Sequence, residues 1–244
     1  MTDRGSAWGP WGAHGKPHYA VRRLPMASAS PLPSDSPVWR ETDPVSVACP
    51  LRLAPADGES EQHQPRVEVR VRYAEDALFL CFQVDDRYVR AVETKIHGRV
   101  WEDACVEFFV QPKPERGYVN FEINCGGTLL VAYHEHPDWP GADVTDPGLM
   151  PMEQVSLVQI EASMPRTVDP EIAEPVSWSI TYRVPLALFE AHVGPLGPLS
   201  GKTWRANFYK CAENNSHPHW LSWAPIVEGR TFHAPRWFGT LTFE

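Results

Sequence analysis

Alternation of apolar and polar side chains is the dominant pattern along this chain. Residues 66–73 read R-V-E-V-R-V-R-Y, so every second side chain is apolar. A period of two is typical of a strand that buries one face. Residues 78–84, L-F-L-C-F-Q-V, are apolar on both faces, which predicts a strand in the centre of a sheet. Further strands are predicted over 118–124, 128–134, 155–164, 176–184, 204–211, 220–223 and 237–243, with two or three short ones within 17–54. Residues 155–164 and 176–184 are expected to pair as a hairpin.

The fold class follows from the number of strands and the scarcity of helix patterns. Only residues 186–193 predict a helix, about two turns long. Proline accounts for 25 of the 244 residues, roughly twice its average use, and leaves little room for long helices. We therefore predict an all-β fold: a two-sheet antiparallel β-sandwich of jelly-roll type with one short helix. Residues 1–16 are expected to be a disordered N-terminal tail, and residues 17–244 a single domain.

Charge and hydropathy exclude several classes of partner. The net charge is −9 and no run of lysine or arginine occurs, which argues against nucleic-acid binding. No apolar stretch approaches the roughly 20 residues that cross a bilayer, so no membrane partner is expected. The N-terminus lacks the apolar segment of a signal peptide. As written, the chain is expected to be cytoplasmic, and to be secreted if its start is misassigned. A monomer is the working expectation.

The cysteines predict no metal knuckle. Five of them are widely spaced, and none forms a C-x-x-C pair. Most lie within predicted strands, which is typical of reduced, buried thiols. A bridge between Cys125 and Cys211 in an oxidising compartment stays open at this point.

Two histidine segments and one acidic set are weaker metal candidates. His134 and His136, followed by Asp138, lack a third ligand at a suitable spacing, and so does the H-P-H segment at 217–219. Both are interpreted as surface histidines. Four acids could hold a structural calcium through oxygen ligands, although no D-x-D-x-D-G loop is present. These acids are Asp85, Asp86, Glu102 and Asp103. No other cofactor is expected.

The segment 100–110, V-W-E-D-A-C-V-E-F-F-V, carries the most informative candidate chemistry. A tryptophan and two acids precede a strand whose one face is apolar and whose other face carries Cys105, Glu107 and Phe109. A sugar stacks its C–H face on an aromatic ring and takes hydrogen bonds from fixed polar groups. Trp101 and Glu107 are therefore candidate sugar contacts. The alternative is that Trp101 covers the core and Glu107 is solvated.

Several linked segments resemble carbohydrate-binding module family 9. They are Y-A-E-D-A-L-F-L-C-F-Q-V-D-D, V-W-E-D-A-C-V-E-F-F-V, Y-V-N-F-E-I-N-C-G-G-T-L-L, W-S-I-T-Y-R-V-P-L-A-L-F, W-R-A-N-F-Y-K, L-S-W-A-P and F-H-A-P-R-W-F-G-T-L-T-F-E, in that order. The most specific are W-E-D-x-C-V-E-x-F and P-x-x-F-G-x-L. The resemblance covers about residues 17–244. It implies a sugar-binding β-sandwich of a kind often attached to xylanases and other glycoside hydrolases, distantly related to DOMON domains.

The resemblance also implies a site. Family members clamp a terminal sugar between two aromatic rings, which correspond here to Trp101 and Phe232. Phenylalanine replaces the more familiar tryptophan at the second position and offers a smaller stacking area. Glu122 stands where better-known members place an arginine, which exchanges donors for an acceptor. The implied carbohydrate-binding residues are Trp101, Glu107, Glu122, Asn124, Asn207 and Phe232, and the implied partner is a mono- or oligosaccharide.

Two other functions stay open from the sequence. A glycoside hydrolase would need a pair of carboxylates, for which Glu102, Glu107 and Glu122 are available. A haem-binding domain of DOMON type would need methionine and histidine as axial ligands. For the methionine, the candidates are Met150, Met152 and Met164.

The remaining tryptophans divide into two groups. Four lie in strand patterns among apolar neighbours and are predicted to be core residues: Trp178, Trp204, Trp223 and Trp237. Trp139 lies in the proline-rich segment P-D-W-P-G, where lining a cleft and packing the loop are equally compatible with the pattern.

Overall fold

The structure is a computed structural model and describes residues 15–25, 28–51, 63–135, 148–228 and 231–244. Most of the expected N-terminal tail lies outside these ranges, as do His136, Asp138 and Trp139. Within them, no helix has both the length and the apolar character needed to span a bilayer.

The described residues form fifteen strands, three short helices and two 3₁₀ turns. The strands are β1 (His18–Arg23), β2 (Val45–Ser46), β3 (Cys49–Pro50), β4 (Arg66–Tyr73), β5 (Ala77–Asp86), β6 (Val89–Ala91), β7 (Cys105–Gln111), β8 (Tyr118–Asn124), β9 (Leu129–His134), β10 (Gln159–Ala162), β11 (Val168–Ile172), β12 (Val176–Pro185), β13 (Thr203–Ala212), β14 (His219–Ser222) and β15 (Gly239–Phe243). The helices are α1 (Pro37–Arg40), α2 (Met152–Val155) and α3 (Leu186–Val193), and the 3₁₀ turns are Val100–Glu102 and Pro235–Trp237.

Long, strongly patterned elements agree with the sequence prediction, and short ones do not. The predicted bounds of β4, β8 and α3 are those observed. The expectation of a single helix is wrong, because the structure also has α1, which begins at Pro37, and α2, which follows Pro151. Each is one turn long and therefore too short to show a helical period in the sequence. The strand predicted from residue 155 begins only at Gln159, because residue 155 belongs to α2. The predicted pairing of this strand with β12 is confirmed, although β11 interrupts the connection and pairs with β6.

Two sheets pack face to face and share β1. The first has the order β9-β8-β7-β13-β15-β1, and the second has the order β1-β4-β5-β12-β10. The first four residues of β1 pair with β15 and its last two pair with β4, so the strand crosses from one sheet to the other. Both of these pairings are parallel, a detail that the predicted antiparallel sandwich did not include. The other described pairs of named strands are antiparallel, as predicted.

The core between the sheets is aromatic, and it determines which side chains face away. Phe108 of β7 stacks on Phe208 of β13 with ring centroids 5.2 Å apart, and Phe82 of β5 meets Phe208 at 6.1 Å. Because side chains alternate along a strand, the neighbours Glu107 and Phe109 point to the outer face of the first sheet. The prediction that Trp178, Trp204, Trp223 and Trp237 are buried is confirmed.

Candidate functional site

A small cavity opens on the outer face of the first sheet, over β7, β8 and β13. Its volume is about 230 Å³, and its lining includes Trp101, Glu107, Glu122 and Phe232. We call it the aromatic pocket. A larger cavity of about 620 Å³ lies beside Tyr73, and none of the described residues that line it is a tryptophan. Four of the six predicted sugar contacts therefore meet in one place, although the chain separates the first from the last by more than a hundred residues.

Trp101 is positioned by backbone contacts to the end of β13. It lies in the 3₁₀ turn that precedes β7. Its carbonyl accepts a hydrogen bond from the Glu213 amide at 3.2 Å and lies 3.5 Å from the Cys211 sulfur. The Arg99 guanidinium lies 5.7 Å from the Trp101 ring centroid and forms an ion pair with Glu102 at 2.7 Å. The indole is partly exposed, so ring area remains for a ligand.

Phe232 is held by a tyrosine of β13. Its ring lies parallel to that of Tyr209, with centroids 4.0 Å apart and 11° between the planes. The Tyr209 hydroxyl donates to the Phe232 carbonyl at 3.0 Å. One face of the phenyl ring is therefore already covered by the protein, and a ligand has the remaining surface.

Glu107 and Glu122 lie side by side at the base of the aromatic pocket. They are direct partners in the β7–β8 register, and they are only 3% and 5% exposed. The Cys211 thiol donates to Glu107 Oε1 at 3.1 Å, and the Asn120 amide donates to Glu122 Oε1 at 2.8 Å. The alternative of a solvated Glu107 is thus wrong.

Burial gives both carboxyl groups an unusual affinity for protons. Desolvation, with contributions from Cys211 and Glu122, raises the pKa of Glu107 well above its usual value. Desolvation also raises the pKa of Glu122 to about 7, although the hydrogen bond from Asn120 acts in the opposite direction. Two neighbouring carboxyls that retain protons near neutral pH can donate as well as accept hydrogen bonds.

The two predicted asparagine contacts lie outside the lining of the aromatic pocket. Asn124 is fully buried, and its amide nitrogen donates to the Glu93 carbonyl and to Asp103 Oδ2, both at 2.9 Å. Asn207 is also fully buried and exchanges hydrogen bonds with the backbone of Ala224 at 2.8 and 3.0 Å. In this structure both amides hold neighbouring loops to the sheet.

Sequence reasoning missed seven of the lining residues, among them Glu213, Trp220 and His233. The Trp220 indole nitrogen donates to Glu213 Oε1 at 3.0 Å, which orients a carboxylate at the rim. His233 hydrogen-bonds the Tyr118 hydroxyl at 2.7 Å, and burial lowers its pKa to about 3, so the ring is neutral. Alternation along the predicted strand could have identified Trp220. Its neighbour Leu221 is buried, and adjacent side chains of a strand point to opposite faces, so the indole lies on the outer face of β14.

A thiol pair lies beneath Glu107. Cys105 and Cys211 are partners in the β7–β13 register, and with Glu107 they form the one potential metal-ligand group found among the described residues, within 4.8 Å of one another. All five cysteines are free, including Cys125, for which a bridge to Cys211 was left open. Burial raises the pKa of Cys105 to about 12, whereas metals bind the thiolate.

The surface assignment is wrong for two of the predicted histidines. His219 is fully buried, its ring nitrogen lies 2.7 Å from Lys210 Nζ, and desolvation lowers its pKa to about 3. His134 is half-buried and stacks on Tyr118 with centroids 4.8 Å apart; burial lowers its pKa to about 4. His217 is exposed, as predicted.

The four candidate calcium ligands serve different partners. Asp86 is buried and lies 3.4 Å from Lys210 Nζ and 2.8 Å from His63 Nε2. Asp103 is buried and accepts hydrogen bonds from the backbone amides of Val92 and Glu93 at 3.0 and 2.9 Å. In the described part of the chain, the four acids do not form a common ligand cluster.

The chain is similar to a known protein family and to several solved structures. Residues 55–243 match the family described as "Carbohydrate-binding family 9". A protein from Bacteroides uniformis ATCC 8492, described as a candidate carbohydrate-binding protein, is 32% identical; the match covers 94% of this chain and 100% of that one, with a TM-score of 0.78.

Two further structures share the fold at low identity. They are a family 9 module from Caldicellulosiruptor kristjanssonii in complex with glucose, and the same kind of module in complex with cellotriose. The first is 9% identical over 93% of this chain and 96% of that one, with a TM-score of 0.59. The second is 10% identical over 93% and 94%, also with a TM-score of 0.59. No curated protein matches the chain. The chain belongs to carbohydrate-binding family 9.

Proposed function

We propose that this protein binds a saccharide in the aromatic pocket without transforming it. The observation that carries the proposal is the meeting of Trp101 and Phe232 with two buried carboxyl groups in one open cavity. Aromatic rings supply stacking surface for the C–H face of a sugar, and carboxyls supply hydrogen bonds to its hydroxyls. The ligands seen in the two Caldicellulosiruptor structures, glucose and cellotriose, support a glucose-type ring as the first candidate.

The size of the aromatic pocket favours a single sugar unit. Pockets for drug-sized ligands have volumes of roughly 300–1,000 Å³. A cavity of about 230 Å³ suits one ring and leaves the rest of an oligosaccharide outside. We therefore propose that the pocket takes the end of a chain, in a role linked to polysaccharide breakdown.

Hydrolysis is disfavoured by the placement of the carboxyls. A glycosidase uses two acids that flank the bond it cleaves, about 5–10 Å apart. Glu107 and Glu122 are instead adjacent on the same face of two paired strands, so both approach a ligand from one side.

Isothermal titration with glucose, cellobiose, cellotriose and xylotriose tests the proposal. We expect heat of binding from at least one of these sugars, and an affinity about tenfold weaker or worse for Trp101→Ala. Trp101→Phe should retain part of the affinity. Leu157→Ala, which trims an exposed apolar side chain outside the pocket lining, serves as the control.

The proposal fails if none of the sugars gives heat or perturbs tryptophan fluorescence. Binding of the reducing end has a separate test. Reduction of that end of cellotriose to the alditol should change the affinity only if this end enters the pocket. Release of reducing sugar from any of these substrates, abolished by Glu107→Gln, would show a hydrolase instead.

A further inference from the structure

The charge of the aromatic pocket is one-sided. Three of its lining residues are acids, Glu107, Glu122 and Glu213, and among the lining residues that the structure describes none is lysine or arginine. His233 is neutral because burial lowers its pKa to about 3. Arg52 and Arg230, next in sequence to two lining residues, fall outside the described residues.

Two cations near the pocket have acidic partners outside its lining. Arg99 lies 5.7 Å from the Trp101 ring centroid, pairs with Glu102 at 2.7 Å and is absent from the lining. Lys210 precedes the lining residue Cys211 in β13, but its ammonium lies between Asp86 and His219, at 3.4 and 2.7 Å. The acids of the pocket therefore have no counter-ion among these residues.

One buried acceptor has no donor. Glu122 Oε1 accepts from Asn120, but Glu122 Oε2 is buried and has no hydrogen-bond partner among the described residues. Leaving a buried acceptor without a donor destabilises the unliganded pocket. Because this residue lines the pocket, a donor on a ligand can satisfy it.

The walls favour a cation as well as a sugar. The rings of Trp101, Trp220 and Phe232 are partly exposed at the pocket. Aromatic faces attract ammonium groups through their negative quadrupole. The indole of Trp220 also fixes the rim carboxylate of Glu213 at 3.0 Å, which adds an acceptor on that side.

We propose that the aromatic pocket prefers a sugar that carries a free ammonium group, such as a glucosamine unit at a chain end, over the corresponding neutral sugar. This rests on the proposed function, since it names the class of saccharide bound at the same site. An ammonium group offers three donors and a positive charge to a pocket whose described lining holds three carboxyl groups and no cationic side chain. N-acetylation removes the charge and two of the donors while keeping the ring.

Proton release is a second consequence of this arrangement. Desolvation raises the pKa of Glu107 and Glu122, and a cation beside them stabilises the ionised forms. The titratable groups that face the two acids are Cys105, Tyr118, Tyr209, Cys211, Glu213 and His233. Burial raises the pKa of both thiols and both phenols and lowers the pKa of His233, so these five groups are uncharged near neutral pH. Binding of an ammonium sugar should then release part of a proton, and binding of glucose should not.

Titration calorimetry of the full chain at pH 7 and low salt tests the preference. The ligands are glucosamine, glucose and N-acetylglucosamine, each in two buffers of different ionisation enthalpy. We expect glucosamine to bind about tenfold more tightly than glucose or N-acetylglucosamine, with an observed enthalpy that depends on the buffer. Glu122→Gln and Glu107→Gln should each weaken glucosamine binding about tenfold and change glucose binding less. Glu115→Gln removes an exposed carboxylate from the β7–β8 turn and is the matched control.

The outcomes separate the two proposals. Equal affinity for glucose and glucosamine overturns the ammonium preference and leaves saccharide binding intact. A preference for glucosamine that survives both glutamine variants also overturns the assignment to these carboxyls. Absence of binding by all three sugars, together with the glucose oligomers above, defeats the proposed function itself.

Discussion

Replacing Glu122 by glutamine should stabilise this protein at high pH and hardly at all at low pH. The carboxyl is nearly fully buried beside Glu107, and its pKa is raised from 4.5 to about 7, chiefly by desolvation. Between these two values the folded protein holds a proton that the unfolded chain has released. The stability that this group contributes is therefore present below pH 4.5 and is lost as the pH rises through about 7.

The magnitude follows from the size of the shift. A rise of roughly two and a half pKa units corresponds to about 3 kcal/mol of unfolding free energy. Glutamine has nearly the same shape as the protonated acid and cannot ionise. Glu122→Gln should thus differ from the wild type by less than about 1 kcal/mol at pH 5, and be more stable by about 3 kcal/mol at pH 8.

Urea unfolding followed by tryptophan fluorescence at pH 5 and pH 8 measures this difference. Burial lowers the pKa of His134, His219 and His233, so these histidines destabilise the fold as the pH falls below about 6.5, equally in both proteins. Comparing variant with wild type at each pH removes their contribution. Glu115→Gln, on the exposed β7–β8 turn, should show no pH-dependent difference. If Glu122→Gln shifts stability by the same amount at both pH values, the buried-carboxyl reasoning is refuted.

Two further predictions concern the residues behind the pocket. Lys210→Met should lower the free energy of unfolding in urea by about 3–5 kcal/mol, because it leaves Asp86 as a buried charge without Lys210. Adding Asp86→Asn should recover much of that loss, and a loss below about 1 kcal/mol for Lys210→Met would contradict the ion pair at 3.4 Å. Asn207→Ala should lower the free energy of unfolding by about 1–3 kcal/mol, because the Ala224 backbone loses its hydrogen-bond partner. The folded variant should keep its sugar affinity. A loss of sugar affinity with unchanged stability would instead identify Asn207 as a ligand contact.

Local patterns were enough to predict the long strands, whereas the short strands β6 and β11 were not predicted. The strict alternation of 66–73 yields β4 with its observed bounds, and the run of 186–193 yields α3, because each pattern is long enough to distinguish a strand from a helix. One-turn helices at α1 and α2 carry no such period, so they could not be read from the sequence. The crossing of β1 between the sheets was equally hidden, since it depends on which distant edges lie beside it.

The same distinction between local pattern and distant contacts applies to the candidate site. By itself, the sequence determined that the chain is rich in β-strands, which face of each long strand is apolar, and, through its family motifs, that Trp101, Phe232 and two acids belong together. Only the tertiary structure decided that Glu107 and Glu122 are buried neighbours with raised pKa values. It also decided that the amides of Asn124 and Asn207 hydrogen-bond to the backbone of neighbouring segments, and that Trp220 lines the pocket. The physical reason is that alternation along a strand assigns a side chain to a face, whereas burial and hydrogen-bond partners depend on segments far away in the chain.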